Sequence, residues 1–373
     1  MMDNSVLMTS FFAFSTALAL SFASTPVVKL VAKKVGAVDV PRDARRMHKV
    51  PIPRLGGLAI FLGFLISFLL FGRIDNQTRA ILLGAVLIVL LGVVDDIKTL
   101  KPLVKFAGQI LAALIPALSG VVVRGFTNPF TESGYISLGF FAIPLTVLWI
   151  VGITNAVNMI DGLDGLAVGV SSIASVTVFT IAVLVSEGYI AVAMAALAGA
   201  CIGFMPYNLN PAKIFMGDTG AMFLGYILST VSIQGLFKYY VGISFAVPFI
   251  ILGLPIFDTS FAIIRRLLKG QNPMQADRGH VHHRLIDMGF DQKQSVAILY
   301  MLSAVLGLSA VVLTTSGEIK IIILAIAILA AVLIGLSVTG YERREEAKHH
   351  MQEEEKAEPE KKTGGEGEQN GKN

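Results

Sequence analysis

Asn158-Met159-Ile160-Asp161-Gly162-Leu163-Asp164-Gly165 stands between two long apolar runs, 139–157 and 164–186. A helix needs about 20 apolar residues to span a bilayer, so these runs predict consecutive membrane helices joined by a short polar turn. Two carboxylates beside hydrocarbon are costly and are retained where they meet an ion, a substrate or a partner charge. The glycines let the backbone approach a ligand closely. A helix cap with a hydrated turn would account for the segment in isolation, and the remaining sequence weighs against that reading.

The same pattern extends in both directions. Of 373 residues, 54% are hydrophobic and 15% charged, with a mean hydropathy of +0.71, the profile of a polytopic membrane protein rather than a soluble domain. Further apolar runs lie at 5–31, 55–72, 79–94, 103–123, 189–206, 218–236, 242–268, 295–314 and 318–340. The expected fold is all-α, with about eleven transmembrane helices. No Lys or Arg precedes the first run and no small-residue cleavage signature follows it, so it reads as a retained helix rather than a signal peptide. Lys33, Lys34, Arg42, Arg45, Arg46, Lys49 and Arg54 fill the next loop. The positive-inside rule makes that loop cytoplasmic, with the N-terminus outside and the C-terminus inside. The expected organisation is a transmembrane catalytic domain over 1–340 and a charged tail over 341–373, whose composition predicts disorder.

Cys201 is the sole cysteine, which excludes an intramolecular disulfide and a cysteine-built metal site. The formal charge of +4 resides largely in the loops read as cytoplasmic and suits anionic headgroups and substrates. No aromatic-basic RNA or DNA module is present, so nucleic acid is not an expected partner.

The polar clusters all fall on the side read as cytoplasmic. Asp95 and Asp96 close the third helix, where the macrodipole disfavours anions and adjacent carboxylates raise each other's cost of ionisation. A divalent cation, Lys98, Lys101 or Lys105 is the expected counter-charge, against the alternative of a solvated turn. A prenyltransferase-type Asp-rich motif would place a further Asp at 99, where Thr99 stands. Met216-Gly217-Asp218-Thr219-Gly220 opens the eighth helix, with Asp218 either its N-cap or a ligand contact between two glycines. Upstream, Asn208 to Phe215 supplies amides, a cation and an aromatic face suited to a nucleobase and its phosphates.

The last cytoplasmic loop holds His280-Val281-His282-His283, flanked by Arg278 and Arg284. A zinc site is conceivable, as is a merely solvated basic loop, but the flanking guanidiniums favour phosphate or sugar-phosphate recognition. Asp258 lies within the ninth run, about 15 Å deep if that helix is straight. Pro248 and Pro255 predict a break, and structural and substrate-side roles for Asp258 both stay open. Carboxylates, basic side chains and histidines on one face are the components of metal-assisted phosphoryl transfer to a lipid acceptor. Oxygen ligands select Mg²⁺ or Mn²⁺. A secondary transporter would instead show midplane polar residues and related repeats; no repeats are found, and Asp258 is the exception in transmembrane runs otherwise almost free of ionisable side chains.

Four segments in order, Asp95-Asp96, 158–165, 215–220 and 280–284, resemble the polyprenyl-phosphate N-acetylhexosamine-1-phosphate transferase family, glycosyltransferase family 4, over about residues 5–340. The histidine loop is similar to that of the enzymes transferring GlcNAc-1-phosphate from UDP-GlcNAc to undecaprenyl phosphate, especially the Gram-positive ones that start wall teichoic acid linkage units. The phospho-MurNAc-pentapeptide translocase has three consecutive histidines, a run that Val281 interrupts here.

The resemblance implies that Asp218 holds Mg²⁺, with Mn²⁺ as a substitute, and that Asp95 and Asp96 surround the lipid phosphate and metal. It implies that Asn158, Asp161 and Asp164 line the nucleotide-sugar cleft and that Asn208 and Phe215 contact uridine. His280, His282 and His283 are expected at the diphosphate-sugar end with Arg278 and Arg284 beside them, and Lys49 and Lys105 on phosphate. The expected catalytic set is Asp95, Asp96, Asp161, Asp164, His282 and His283. The implied location is a bacterial plasma membrane with a cytoplasmic active site and membrane lipid as partner; the sequence leaves a homodimer open.

Overall fold

Without water to hydrogen-bond exposed peptide groups, apolar segments of this length satisfy their backbone internally as helices. The computed structural model describes residues 4–41, 50–127, 135–239, 246–268, 270 and 279–314, all within a compact unit that runs from Met1 to Lys320. The expected eleventh helix (318–340), the charged tail, Lys49 and Arg278 lie outside the described residues.

The described helices are α1 (Asn4–Val35), α2 (Gly57–Phe71), α3 (Asn76–Lys98), α4 (Pro102–Leu118), α5 (Ala142–Ile160), α6 (Leu166–Leu184), α7 (Gly188–Asn208), α8 (Gly217–Tyr239), α9 (Ala246–Ile251), α10 (Gly253–Leu268), α11 (Val281–Asp287) and α12 (Gln292–Thr314). Two short antiparallel pairs accompany them, β1 (Val38–Asp39) with β2 (Ile52–Pro53), and β3 (Gly125–Thr127) with β4 (Tyr135–Ser137). Among the described residues, six helical segments are long and apolar enough to cross a membrane: α1, α3, α5 with its preceding 3₁₀ turn, α6, α7 and α12. The chain is therefore a mostly helical, multi-pass membrane protein.

The packing follows the membrane pattern, in which small residues let helices approach. α7 buries Ala191, Ala195, Ala196, Ala198 and Ala200. α8 is buried at Ala221, Phe223, Leu224 and Tyr226, and Phe223 meets Phe61 and Phe64 of α2 edge to face. Leu70, Leu83, Leu111 and Leu148 point outward, an apolar exterior suited to lipid. Some buried polar groups are paired across helices. Gln109 of α4 and Asn155 of α5 exchange amide hydrogen bonds of 3.3 and 2.7 Å, and Trp149 donates to Ser232 of α8 at 3.1 Å.

Two elements differ from the sequence-based expectation, and a third shows a break that it predicted. α3 outlasts the 79–94 run at both ends because Asp75 accepts the Thr78 N–H at 2.8 Å and Asp95 accepts the Leu100 N–H at 2.6 Å. The ninth run is two helices, as its prolines suggested. Pro255 has no N–H for the Ile251 carbonyl, and α9 ends at Ile251. The segment read as the last cytoplasmic loop contains a helix, α11, which carries His282, His283 and Arg284.

Candidate active site

The alternating helices bring the C-terminal ends of α3, α5 and α7 together with the N-terminal ends of α2, α4, α6, α8 and α12. A cleft of about 550 Å³ opens there, within the range of small-molecule sites. Asp39, Arg54, Asp96, Asn158, Asp161, Asp164, Asn208, Phe215, Asp218, His283 and Gln292 are among its lining.

One wall is built on the approach of α3 to α8. Asp96 accepts the N–H of Asp218 at 3.1 Å and that of Thr219 at 3.0 Å, and the Thr219 hydroxyl at 2.6 Å. It therefore caps α8 from another helix, meeting donors that the first turn of a helix leaves unsatisfied. Gly217 makes this possible: its φ is +71°, and a Cβ there would lie 2.5 Å from the Asp96 carboxylate. Arg54 completes the arrangement, with Nε 3.3 Å from Asp96. The Asp95 carboxylate is matched by Lys105, whose Nζ lies 3.0 Å from Asp95 and 2.8 Å from Asp218. Of the side chains expected to offset this acidic helix end, Lys105 is the one in contact, and Arg54, which was not among them, joins it.

A second wall comes from the α5–α6 turn. Asp161 is half-buried yet surrounded by protein atoms, and its carboxyl is pushed up to about 8, first by burial and then by the negative charges of Asp218, Asp96 and Asp164. Asn158 sits in the last turn of α5 and lines the cleft. Asp164 accepts from Asn210 at 3.1 Å and from the Ala212 N–H at 2.9 Å. Asn208 accepts the Gly165 N–H at 3.2 Å and donates to the Ile214 carbonyl at 3.0 Å. Asp164 and Asn208 thus bind the 208–214 segment to α6 as well as lining the cleft.

The histidines divide. His283 lines the cleft, whereas His280 and His282 pack behind it. Asp258 is buried on α10; its carboxylate lies 2.8 Å from His280 Nδ1 and accepts the Val281 N–H at 2.8 Å. Of the two roles left open for Asp258, the geometry is the structural one: it anchors the start of α11. His282 has Nε2 buried without a hydrogen-bond partner and directed at Gly162, where a Cβ would come within 2.2 Å of it. Burial, followed by the neighbouring His283, pushes His282 down to about 3, so it is neutral. Arg284 is buried, donates to the Gly279 carbonyl at 2.9 Å and stacks over Phe261 at 5.2 Å. Among the described residues, no three His, Cys, Asp or Glu side chains converge as a metal cage, and the zinc reading of the histidines gains no geometry.

Asp39, Arg54 and Gln292 line the cleft without having been singled out as site residues. Arg54 had a signal: Pro53-Arg54-Leu55-Gly56-Gly57 places a charge beside paired glycines at a helix entry, as Met216 to Gly220 does. Asp39 and Gln292 reach the cleft through contacts distant in sequence, which no local pattern reports.

Residues 78–236 match the model of glycosyl transferase family 4. The chain is 43% identical over 306 residues to the "Probable undecaprenyl-phosphate N-acetylglucosaminyl 1-phosphate transferase" of Bacillus subtilis (strain 168), covering 82% of this chain and 85% of that protein. It is 33% identical over 352 residues to the "Decaprenyl-phosphate N-acetylglucosaminephosphotransferase" of Mycolicibacterium smegmatis, covering 86% of each. A Thermotoga maritima "Undecaprenyl-phosphate alpha-N-acetylglucosaminyl 1-phosphate transferase" is 32% identical over 265 residues, 71% of this chain and 78% of that one.

Proposed function

We propose, from the premise that the chain belongs to glycosyl transferase family 4, that it transfers GlcNAc-1-phosphate from UDP-GlcNAc to undecaprenyl phosphate, forming undecaprenyl-diphospho-GlcNAc and UMP. The observation that carries this reading is a polar cleft at one end of an apolar helix bundle, with carboxylates, a guanidinium, an aromatic ring and a histidine on its walls. Such a cleft lets a water-soluble nucleotide sugar meet a phosphate carried by a membrane lipid. The names of the relatives supply the substrate classes.

A phosphate oxygen of the lipid attacks the β-phosphorus of UDP-GlcNAc, and the bond from that phosphorus to the bridging oxygen breaks as UMP leaves. A phosphate monoester is largely ionised near neutral pH, so positioning and charge balance matter more than a strong base. Lys105 holds Asp95 and Asp218 together despite their like charge, and Asp96 fixes the backbone that presents Asp218. His283 faces the sugar-phosphate end as a hydrogen-bonding group.

The donor set fits Mg²⁺ or Mn²⁺, because the groups available are hard carboxylate oxygens. Asp218, the more open carboxylate of its wall, would hold the ion, with Asp95 or Asp161 as further donors. When bound, the ion would neutralise the diphosphate and stabilise charge on departing UMP.

The basic loop after α1 supports a cytoplasmic cleft and an outside N-terminus. Residues 1–340 are read as the catalytic domain and 341–373 as a cytoplasmic tail. The lipid-linked product suits the first membrane step of a teichoic acid or another surface polymer.

Purified protein mixed with undecaprenyl phosphate and one donor at a time tests the reaction. UDP-GlcNAc is expected to yield UMP and the lipid diphosphate sugar by mass spectrometry. Turnover with UDP-GalNAc alone would change the donor, and no UMP with any UDP-sugar would refute the reading. For sidedness, Lys98→Cys in a Cys201→Ser background is expected to react with an impermeant thiol reagent only from the cytoplasm, and Glu187→Cys only from outside.

A further inference from the structure

We propose that Arg54 is a residue that grips the diphosphate of the nucleotide donor, next to an aromatic platform formed by Phe215. The proposal rests on the reading of the donor as a nucleotide sugar and deepens it by assigning the contact.

The cleft has an unusual charge balance. Among the described residues that line it, Arg54 is the sole Lys or Arg, facing Asp39, Asp96, Asp161, Asp164 and Asp218. Lys105 stands behind the wall and is held by two carboxylates. A nucleoside diphosphate entering so acidic a cavity meets repulsion unless a cationic group lies directly in its path.

Arg54 is positioned for that purpose by backbone and side chain alike. Its N–H donates to the Ala37 carbonyl at 2.9 Å. Its backbone bridges Phe215 in parallel, with Phe215 N–H donating to the Pro53 carbonyl at 2.8 Å and Gly56 N–H to the Phe215 carbonyl at 2.9 Å. Bridged residues project to the same face, and both side chains line the cleft. On the guanidinium, Nε lies 3.3 Å from Asp96, while Nη1 is 4.0 Å from Asp39, too long for a hydrogen bond. Asp96 thus holds the inner edge of a rigid planar fork that carries five N–H donors. The terminal nitrogens retain capacity for the bidentate recognition of phosphate at which Arg excels. The side chain is 26% exposed, open enough to reach a ligand and buried enough for the contact to count. An aromatic face and a guanidinium on adjacent backbone match the two ends of a uridine diphosphate.

Calorimetric titration of the purified full-length protein with uridine and with UDP, in the presence of Mg²⁺, tests the assignment. Arg54→Met is expected to weaken UDP binding tenfold or more and uridine binding less than twofold. In turnover, KM for UDP-GlcNAc should rise at least tenfold while KM for undecaprenyl phosphate stays within twofold. Arg54→Lys keeps a cation opposite Asp96 and guards against misfolding of the first variant; it should preserve the thermal midpoint and still weaken UDP several-fold. Equal loss of uridine and UDP would overturn the proposal by marking Arg54 as structural support acting through Asp96. Unchanged UDP binding in both variants would overturn it outright. A wild-type protein that binds no uridine compound would instead sink the nucleotide-sugar reading on which the proposal stands.

Discussion

The α3–α8 wall and the α10–α11 wall of the cleft use one device to different ends. In each, a buried aspartate on one helix binds the first N–H groups of another: Asp96 those of α8, and Asp258 that of Val281 in α11. Beyond the cap they diverge. Asp96 presents Asp218, an acidic group that shares Lys105 with Asp95, so that wall is built of charged side chains. Asp258 presents imidazoles, one paired with it and one held neutral by burial, so that wall offers hydrogen bonds without much charge. The same capping geometry therefore separates an acidic side of the cleft from a histidine side.

The comparison breaks most visibly at Asp218. Asp218→Asn is expected to keep the fold and lose nearly all turnover, since an amide lacks the anionic oxygen a hard cation prefers. Wild-type UMP release should likewise stop in excess EDTA and return with Mg²⁺ or Mn²⁺; full activity in chelator would remove the cation from this wall.

Stability should distinguish the two caps. Asp96→Ala strands Arg54 and the first turn of α8, and breaking a buried ion pair costs about 3–5 kcal/mol. Asp258→Ala removes hydrogen bonds from His280 and Val281, a loss of about 1–3 kcal/mol. Denaturation that ranks them in the opposite order would mean that the histidine wall carries more of the fold than its contacts indicate.

On the neutral wall, His283→Ala should lower kcat/KM for UDP-GlcNAc roughly ten- to a hundredfold, the equivalent of about 1.5–3 kcal/mol for a hydrogen bond to a charged group. The thermal midpoint should hold. His282→Ala is expected to lower the midpoint instead, because His282 fills the space behind Gly162. Equal kinetic losses without a stability change would place both imidazoles on substrate.

The remaining test concerns Asp161. Its folded value of about 8 exceeds the ordinary 3.8, so between these values the native state holds a proton that the unfolded chain has released. Its contribution to stability therefore falls as pH rises across that window. Metal-free Asp161→Asn should show a flatter decline in thermal midpoint from pH 5 to pH 8 than wild type; parallel slopes would refute the shift.

The apolar runs made most of the helices legible, because length and hydropathy are local properties. Even the interruption near Pro255 could be read, since a missing N–H acts within one turn. α11 could not, as seven residues carrying two histidines and an arginine show no membrane pattern and its start depends on Asp258 of another helix. At the site, Asp161, Asp218 and the need for cations near Asp95 and Asp96 followed from charges placed beside hydrocarbon. The inward packing of His280 and His282 did not, because neighbouring imidazoles look equivalent until tertiary contacts sort them. Asp96 carries the same lesson: its residue type signalled function, while its cap on α8 depends on a residue 122 positions away.

That separation has a consequence for how the enzyme comes into being. The ribosome delivers α3 to the bilayer long before it makes α8, and throughout that interval Asp96 has no helix end to cap. A nascent chain halted before Gly217 already carries the α5–α6 aspartates, yet it lacks Asp218 and the wall that Asp96 would organise. Assembly of that wall waits until synthesis has passed α8 and that helix has threaded between its neighbours, which makes it a late event of membrane insertion.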